Sequence, residues 1–225
     1  MPPAPALIRR SSFPRLALAA TLALAIAAPA ARATQCLQAV FFDLGNTLVD
    51  QSVPAPYPLF PTAQAAVDAL QAAGVEIGII TNVPAGWTRG DLETLLLEPA
   101  FLDEFDVLVL SSQTPGPVQK PNPLIYSYAH GLLPPPLPPI GATAFVGETL
   151  AEIANAQVAP TLGARAAGMV GIHLSDTAPS PLADYTITTA DLADVLGIVG
   201  ATCTVFIDGF ESSNADEWSS CFGCF

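Results

Sequence analysis

The stretch Phe41 to Asp50, FFDLGNTLVD, decides how the chain folds. It follows and completes an apolar run, Leu37 to Phe42, short and valine- and phenylalanine-bearing, as a buried strand should be. The run breaks into Asp43-Leu44-Gly45-Asn46-Thr47, an order of turn formers that bends the chain sharply. A carboxylate therefore stands at the carboxyl end of a buried strand, the place where open parallel sheets bind their ligands. The same residues would also suit a plain turn or a helix cap, so the segments that follow settle which.

Further apolar runs recur down the chain and predict strands over Val75 to Ile80, Asp106 to Leu110, Thr143 to Val146, Met169 to His173 and Asp184 to Ile187. Between them, alanine- and leucine-rich segments at helical spacing predict helices over Thr62 to Ala73, Thr88 to Leu97, Pro123 to Gly131, Thr149 to Gly168, with Pro160 as a break point, and Ala190 to Leu196. Strand and helix alternate. That order predicts an α/β architecture, a Rossmann-like open sheet of mostly parallel strands with helices on both faces. The Pro-rich stretches Val53 to Pro61 and Leu133 to Pro139 read as stiff surface connections.

Polar groups gather where four of these strands end: Asp43 and Thr47, then Thr81 and Asn82, then Lys120, then Glu148 and Glu152. A carboxylate can act as nucleophile or as Mg²⁺ ligand, while a hydroxyl and an ammonium group can hold a phosphoryl group. A second carboxylate supplies the oxygen ligation that Mg²⁺ requires. Lys120 is the only lysine in the chain. Each residue alone has a plainer reading: Thr81 as a turn cap, Lys120 as a solvated loop charge, and the two glutamates as acids favoured at a helix N-terminus. Together they describe a phosphoryl-transfer site.

In this order the segments resemble the haloacid dehalogenase-like (HAD) superfamily of hydrolases over about Gln38 to Gly197. FFDLGNTLV is similar to its first motif, IGIITN to its second, QKPNPLIYSYA to its third and FVGETLAEIANA to its fourth. The resemblance implies that Asp43 is a nucleophile that takes the phosphoryl group and also binds Mg²⁺. It implies further that Thr81, with Asn82, holds the transferring group and that Lys120 neutralises charge. Glu148, Glu152 and the backbone carbonyl of Gly45 complete the implied metal site.

Two departures bear on activity. Most phosphatases of the family carry a general-acid aspartate two residues after the nucleophile, where this chain has Gly45. General acid catalysis typically contributes about 10²- to 10⁴-fold, so ordinary phosphate monoesters should turn over slowly and substrates with good leaving groups should suffer less. The other departure is glutamate at both 148 and 152, where aspartate is usual. Only 38 positions separate Asp43 from Thr81 and 39 separate Thr81 from Lys120, which leaves little or no room for a cap domain. An open site predicts a large phosphorylated substrate or cover from a homo-oligomer. A 2-haloacid dehalogenase would need a lid carrying a cation, and none fits.

The chain's ends imply export. Residues 1 to 33 carry Arg9, Arg10 and Arg15, then the apolar run Leu16 to Ala28, then Ala31-Arg32-Ala33, the pattern of a cleaved signal peptide. That run has 13 residues, short of the roughly 20 that span a bilayer. Cleavage would leave no transmembrane span and a periplasmic or extracellular protein. It would also remove four of seven basic residues and none of the 20 acids, for a net charge of 3 − 20 = −17. Only Arg89, Lys120 and Arg165 then remain to meet phosphate backbones, which argues against nucleic acid as a partner. Cys36, Cys203, Cys221 and Cys224 suit a terminal disulfide in an oxidising compartment. His130 and His173 read as structural, and Trp87 as a helix-start residue near the site mouth. From about Ala201 a strand-like TCTVFID opens a polar tail, whose FIDGFESSNADEW resembles short tails of exported bacterial proteins and suggests a surface or sorting address. Two functions follow: an exported Mg²⁺-dependent phosphohydrolase, or a binding module that kept the fold and lost activity with the acid at 45.

Overall fold

A computed structural model describes residues 36–154, 163–177, 179–188 and 191–204. The predicted signal peptide, the tail beyond Thr204 and the Cys221-x-x-Cys224 pair lie outside them. Six strands, β1 (Ala39–Phe42), β2 (Glu76–Thr81), β3 (Val107–Leu110), β4 (Thr143–Gly147), β5 (Val170–Leu174) and β6 (Tyr185–Ile187), form a single sheet. Their order is β3-β2-β1-β4-β5-β6 and every neighbouring pair is parallel. The chain builds outward from β1 to β3 on one side, then crosses back and builds from β4 to β6 on the other. The tips of β1 and β4 therefore flank the point where the winding reverses, the crevice that favours ligands.

Both faces of the sheet are apolar because its strands are sandwiched. Val40 and Phe42 enter one core, shared with α1 (Ala63–Ala72), whose Ala63, Ala66, Val67 and Leu70 recur at helical spacing, and with α6 (Asp194–Thr204). Ala39 and Phe41 enter the other, shared with α3 (Pro123–His130) and α5 (Ala164–Ala167). Gly78 in β2 makes room for the ring of Phe41, since a β-carbon there would sit 2.4 Å from it. Gly78→Val should therefore lower stability by about 1–3 kcal/mol. Urea unfolding reads that loss, and an unchanged midpoint would contradict the packing.

All six predicted strands are present, and three predicted helices have different extents. The helix at Thr88 is cut to α2, Arg89–Glu93. Past it the backbone pairs with the Pro-rich segment instead, Tyr57 N–H to Leu95 O at 2.7 Å and Leu97 N–H to Tyr57 O at 2.9 Å. Of the helix expected over Thr149 to Gly168, with Pro160 as a break point, the described residues carry α4, Leu150–Ile153, which ends as Ala154 turns extended at ψ 148°, and α5, Ala164–Ala167. Gly163 is pinned instead to the loop before α3, its N–H 2.6 Å from Pro121 O. Residues 201–204, expected to be strand-like, continue α6. Thr and Val read as strand formers, but Val195 and Val199 anchor a helix against the sheet and that context overrides propensity. Among the described residues no helix is long and apolar enough to cross a membrane.

Candidate active site

Asp43 leaves β1 with its N–H bonded to Val146 O at 2.8 Å, so the nucleophile candidate is tied to the tip of β4. The loop after it closes in one turn, Leu44 O accepting from Leu48 N–H at 2.9 Å and from Val49 N–H at 3.0 Å. Asn46 takes a left-handed φ of 52°, which asparagine tolerates, and its Oδ1 accepts from Gln51 N–H at 3.3 Å. The turn-forming order in the sequence and the placement of the carboxylate are thus one feature. Asp43 Oδ1 accepts from Leu44 N–H at 2.7 Å and from Lys120 Nζ at 2.5 Å. Its Oδ2 makes no bond among the described residues.

Lys120 reaches Asp43 from the loop ahead of α3. Asn82, just past β2, grips its main chain at both ends, Oδ1 accepting from Lys120 N–H at 2.9 Å and Nδ2 donating to Lys120 O at 3.1 Å. The carboxamide of Asn82 is thus largely spent on that grip, although the residue borders the site. Lys120 Nζ sits between Asp43 and Glu152 Oε2, 2.8 Å away, and 5.4 Å from the centroid of the Phe145 ring. Its side chain is 1% exposed, unlike the solvated lysine of an ordinary loop. Asn122 starts α3 by accepting from Leu124 N–H at 3.0 Å, with Pro123 in the first turn, as the sequence KPNP suggests.

From β4 come Gly147, where a β-carbon would sit 3.1 Å from the Phe145 ring, then Glu148 and, one helical turn on, Glu152. Two residues outside the sequence prediction support them. Tyr126 donates its hydroxyl to Glu152 O at 3.0 Å, and His173, at the tip of β5, sits with Nε2 3.1 Å from Glu148 O. Thr149 donates its hydroxyl to Glu148 Oε2. His130, by contrast, bonds Pro138 O at 2.7 Å, and Trp87 packs against the core beside α1 rather than on the site. Thr47 is buried in the loop, away from the site.

All seven predicted site residues, Asp43, Gly45, Thr81, Asn82, Lys120, Glu148 and Glu152, meet around one hollow of about 140 Å³. Gln51 and Thr149 complete its wall. Sites for drug-sized ligands run to roughly 300–1,000 Å³, so this hollow suits a small anionic group and its counter-ion, with the rest of any ligand outside.

Two carboxylates, Asp43 and Glu152, share one ammonium group, with the charge of Glu148 nearby. Burial raises the Asp43 carboxyl above the usual carboxylate range while Lys120 opposes the rise. Burial likewise raises Glu152, with Lys120 opposing and Asp43 adding to it. The site is short of positive charge, and a divalent cation would supply it. Among the described residues no three His, Cys, Asp or Glu side chains form a closed metal cage. Mg²⁺ asks for none, because it is commonly held by one or two carboxylates, waters and a substrate phosphate. The donor set fits.

The raised carboxyls give stability a sign. A folded value above the unfolded one means a contribution fully present below the unfolded value and lost as pH rises through the folded one. Metal-free protein should therefore melt at lower temperature as pH climbs upward from the ordinary carboxylate range. A melting temperature that rises over that window would contradict the burial of Asp43 and Glu152.

Comparison with solved structures finds similar folds. A HAD-superfamily hydrolase from Ehrlichia chaffeensis superposes with a TM-score of 0.55 at 15% identity, over 75% of this chain and 98% of that one. The fold is that of the HAD-like hydrolases. A putative beta-phosphoglucomutase from Thermotoga maritima matches this chain with a TM-score of 0.54 at 15% identity, over 72% of this chain and 99% of that one. CbbY from Rhodobacter sphaeroides, in complex with phosphate, matches with a TM-score of 0.50 at 14% identity, over 69% and 96%. No protein-family model and no curated protein matches the sequence.

Proposed function

We propose that this HAD-like chain is an exported, Mg²⁺-dependent phosphohydrolase that works through an aspartyl-phosphate on Asp43. The observation that carries the reading is the buried Asp43–Lys120–Glu152 chain, with contacts of 2.5 and 2.8 Å, at the tips of β1 and β4. Lys120 and the Leu44 N–H hold Oδ1, which leaves Oδ2 to attack phosphorus. The P–O bond to the leaving group breaks with its electron pair on the departing oxygen. Lys120 and Thr81 bind the phosphoryl oxygens as charge shifts onto them. Water then attacks the mixed anhydride, releasing inorganic phosphate, restoring the Asp43 carboxylate and giving its proton to solvent.

Asp43, the Gly45 carbonyl and Glu148 would hold Mg²⁺, since Glu152 is engaged by Lys120. Mg²⁺ would add positive charge at the phosphoryl oxygens. One of the fold neighbours has phosphate bound, which suits the small size of this hollow. Only a loop and a single helix separate Asp43 from Thr81, which supports an uncapped site with the bulk of a substrate outside. Cleavage after Ala33, read by N-terminal sequencing of protein recovered outside the cytoplasm, tests the export.

The main test is hydrolysis by mature protein with Mg²⁺ of a panel of phosphomonoesters and acyl phosphates, beside Asp43→Asn. Isothermal calorimetry with Mg²⁺ accompanies it, and thermal melts should show stabilisation by Mg²⁺ that grows as pH rises. Wild type as inert as Asp43→Asn, with neither binding Mg²⁺, leaves the second reading, a binding module whose Gly45 carries no acid.

A further inference from the structure

One wall of the hollow has no part in the chemistry just described. Gln51 lies there, exposed, beside Asp43 and Gly45. A β-carbon built on Gly45 would sit 2.7 Å from Gln51 Oε1 and 2.8 Å from both Cδ and Nε2. The carboxamide thus occupies the volume that any side chain at position 45 would enter. The backbone holds it there, because Gln51 N–H is bound to Asn46 Oδ1 and the preceding Asp50 N–H to Pro58 O at 2.9 Å. A carboxamide carries two N–H donors and one acceptor and does not titrate at any ordinary pH. It can stabilise a developing oxyanion and has no proton to give.

The remaining acids are committed elsewhere. Asp43 is engaged by Lys120 and Leu44, Glu152 by Lys120, and Glu148 accepts from Thr149. We propose that Gln51 sets the substrate class: its carboxamide receives the leaving-group oxygen and confines efficient hydrolysis to acyl and aryl phosphates, whose leaving groups depart as stable anions. This rests on phosphoryl transfer at Asp43. In that step the new bond joins Asp43 Oδ2 to phosphorus, the bond to the departing carboxylate or phenolate breaks with its electron pair on oxygen, and no proton moves. The amide hydrogen stays on Gln51.

The test is kcat/KM of the mature chain with Mg²⁺ on acetyl phosphate, a series of aryl phosphates of graded leaving-group acidity, and glycerol phosphate. Expected is a steep dependence on leaving-group acidity, with glycerol phosphate slowest. Gln51→Leu, an exposed substitution that spares the core, should lower kcat on acetyl phosphate by about 10- to 100-fold with KM little changed. The double variant Gly45→Asp/Gln51→Gly places an acid where the carboxamide was and should raise turnover of glycerol phosphate by about 100-fold or more. It should also flatten the dependence. Wild type that treats alkyl and aryl phosphates alike, or Gln51→Leu indistinguishable from wild type, overturns the role of Gln51 and leaves transfer at Asp43 standing. Wild type that is inert on every substrate and binds neither inorganic phosphate nor Mg²⁺ by calorimetry overturns both.

Discussion

Asp43→Asn should yield a protein that turns over no substrate and yet is at least as stable as wild type at neutral pH. Loss of a covalent nucleophile or its partner lowers kcat by roughly 10⁴- to 10⁶-fold. The stability half of the expectation follows from charge. Asp43 shares a single ammonium group with Glu152, has the charge of Glu148 nearby, and its carboxyl is raised by burial. A raised value means that ionisation costs the folded state free energy, so a neutral isostere relieves that cost. Asparagine keeps the bond from Leu44 N–H and leaves Lys120 paired with Glu152. Steady-state assay on acetyl phosphate and urea unfolding without metal read the two effects. A variant that loses activity only by unfolding would refute the assignment of Asp43.

Lys120→Met should do the opposite to stability. It removes the only positive charge beside two buried carboxylates, and breaking such a pair costs about 3–5 kcal/mol. Methionine is unbranched and of similar length, so the loss measures the charge, including its place 5.4 Å from the Phe145 ring centroid. Because the cost belongs to ionised Asp43 and Glu152, it should shrink as pH falls and both become neutral. Unfolding midpoints at neutral and acidic pH give the comparison. A deficit independent of pH would mean that Lys120 supports the fold by packing alone. Turnover should be lost at both pH values, since no group remains to neutralise the phosphoryl oxygens.

Much of the site is legible in the sequence because each reactive residue directly follows or opens a regular element. Asp43 ends one apolar run, Thr81 another, and Glu148 a third. A parallel sheet then brings those tips together without further instruction. Lys120 is harder to place. Its neighbours Pro121, Asn122 and Pro123 give the helix start, while its burial depends on Asn82 and Phe145, more than 20 residues away on either side. Gln51 leaves no signal at all. Its position comes from the φ of Asn46 and the missing side chain at 45, neither of which a spacing pattern encodes. Tyr126 and His173 act through main-chain carbonyls, so no side-chain pairing marks them. The helix at Thr88 is shorter than its composition suggests for a related reason: it ends where a loop partner competes for the backbone.

The Asn82 grip has a consequence for engineering. It holds the peptide groups of residue 120 and touches nothing of its side chain. Whatever side chain is installed there starts from the same backbone position. Position 120 is a socket. Variants at 120 therefore change the side chain while Asn82 keeps the same backbone to grip.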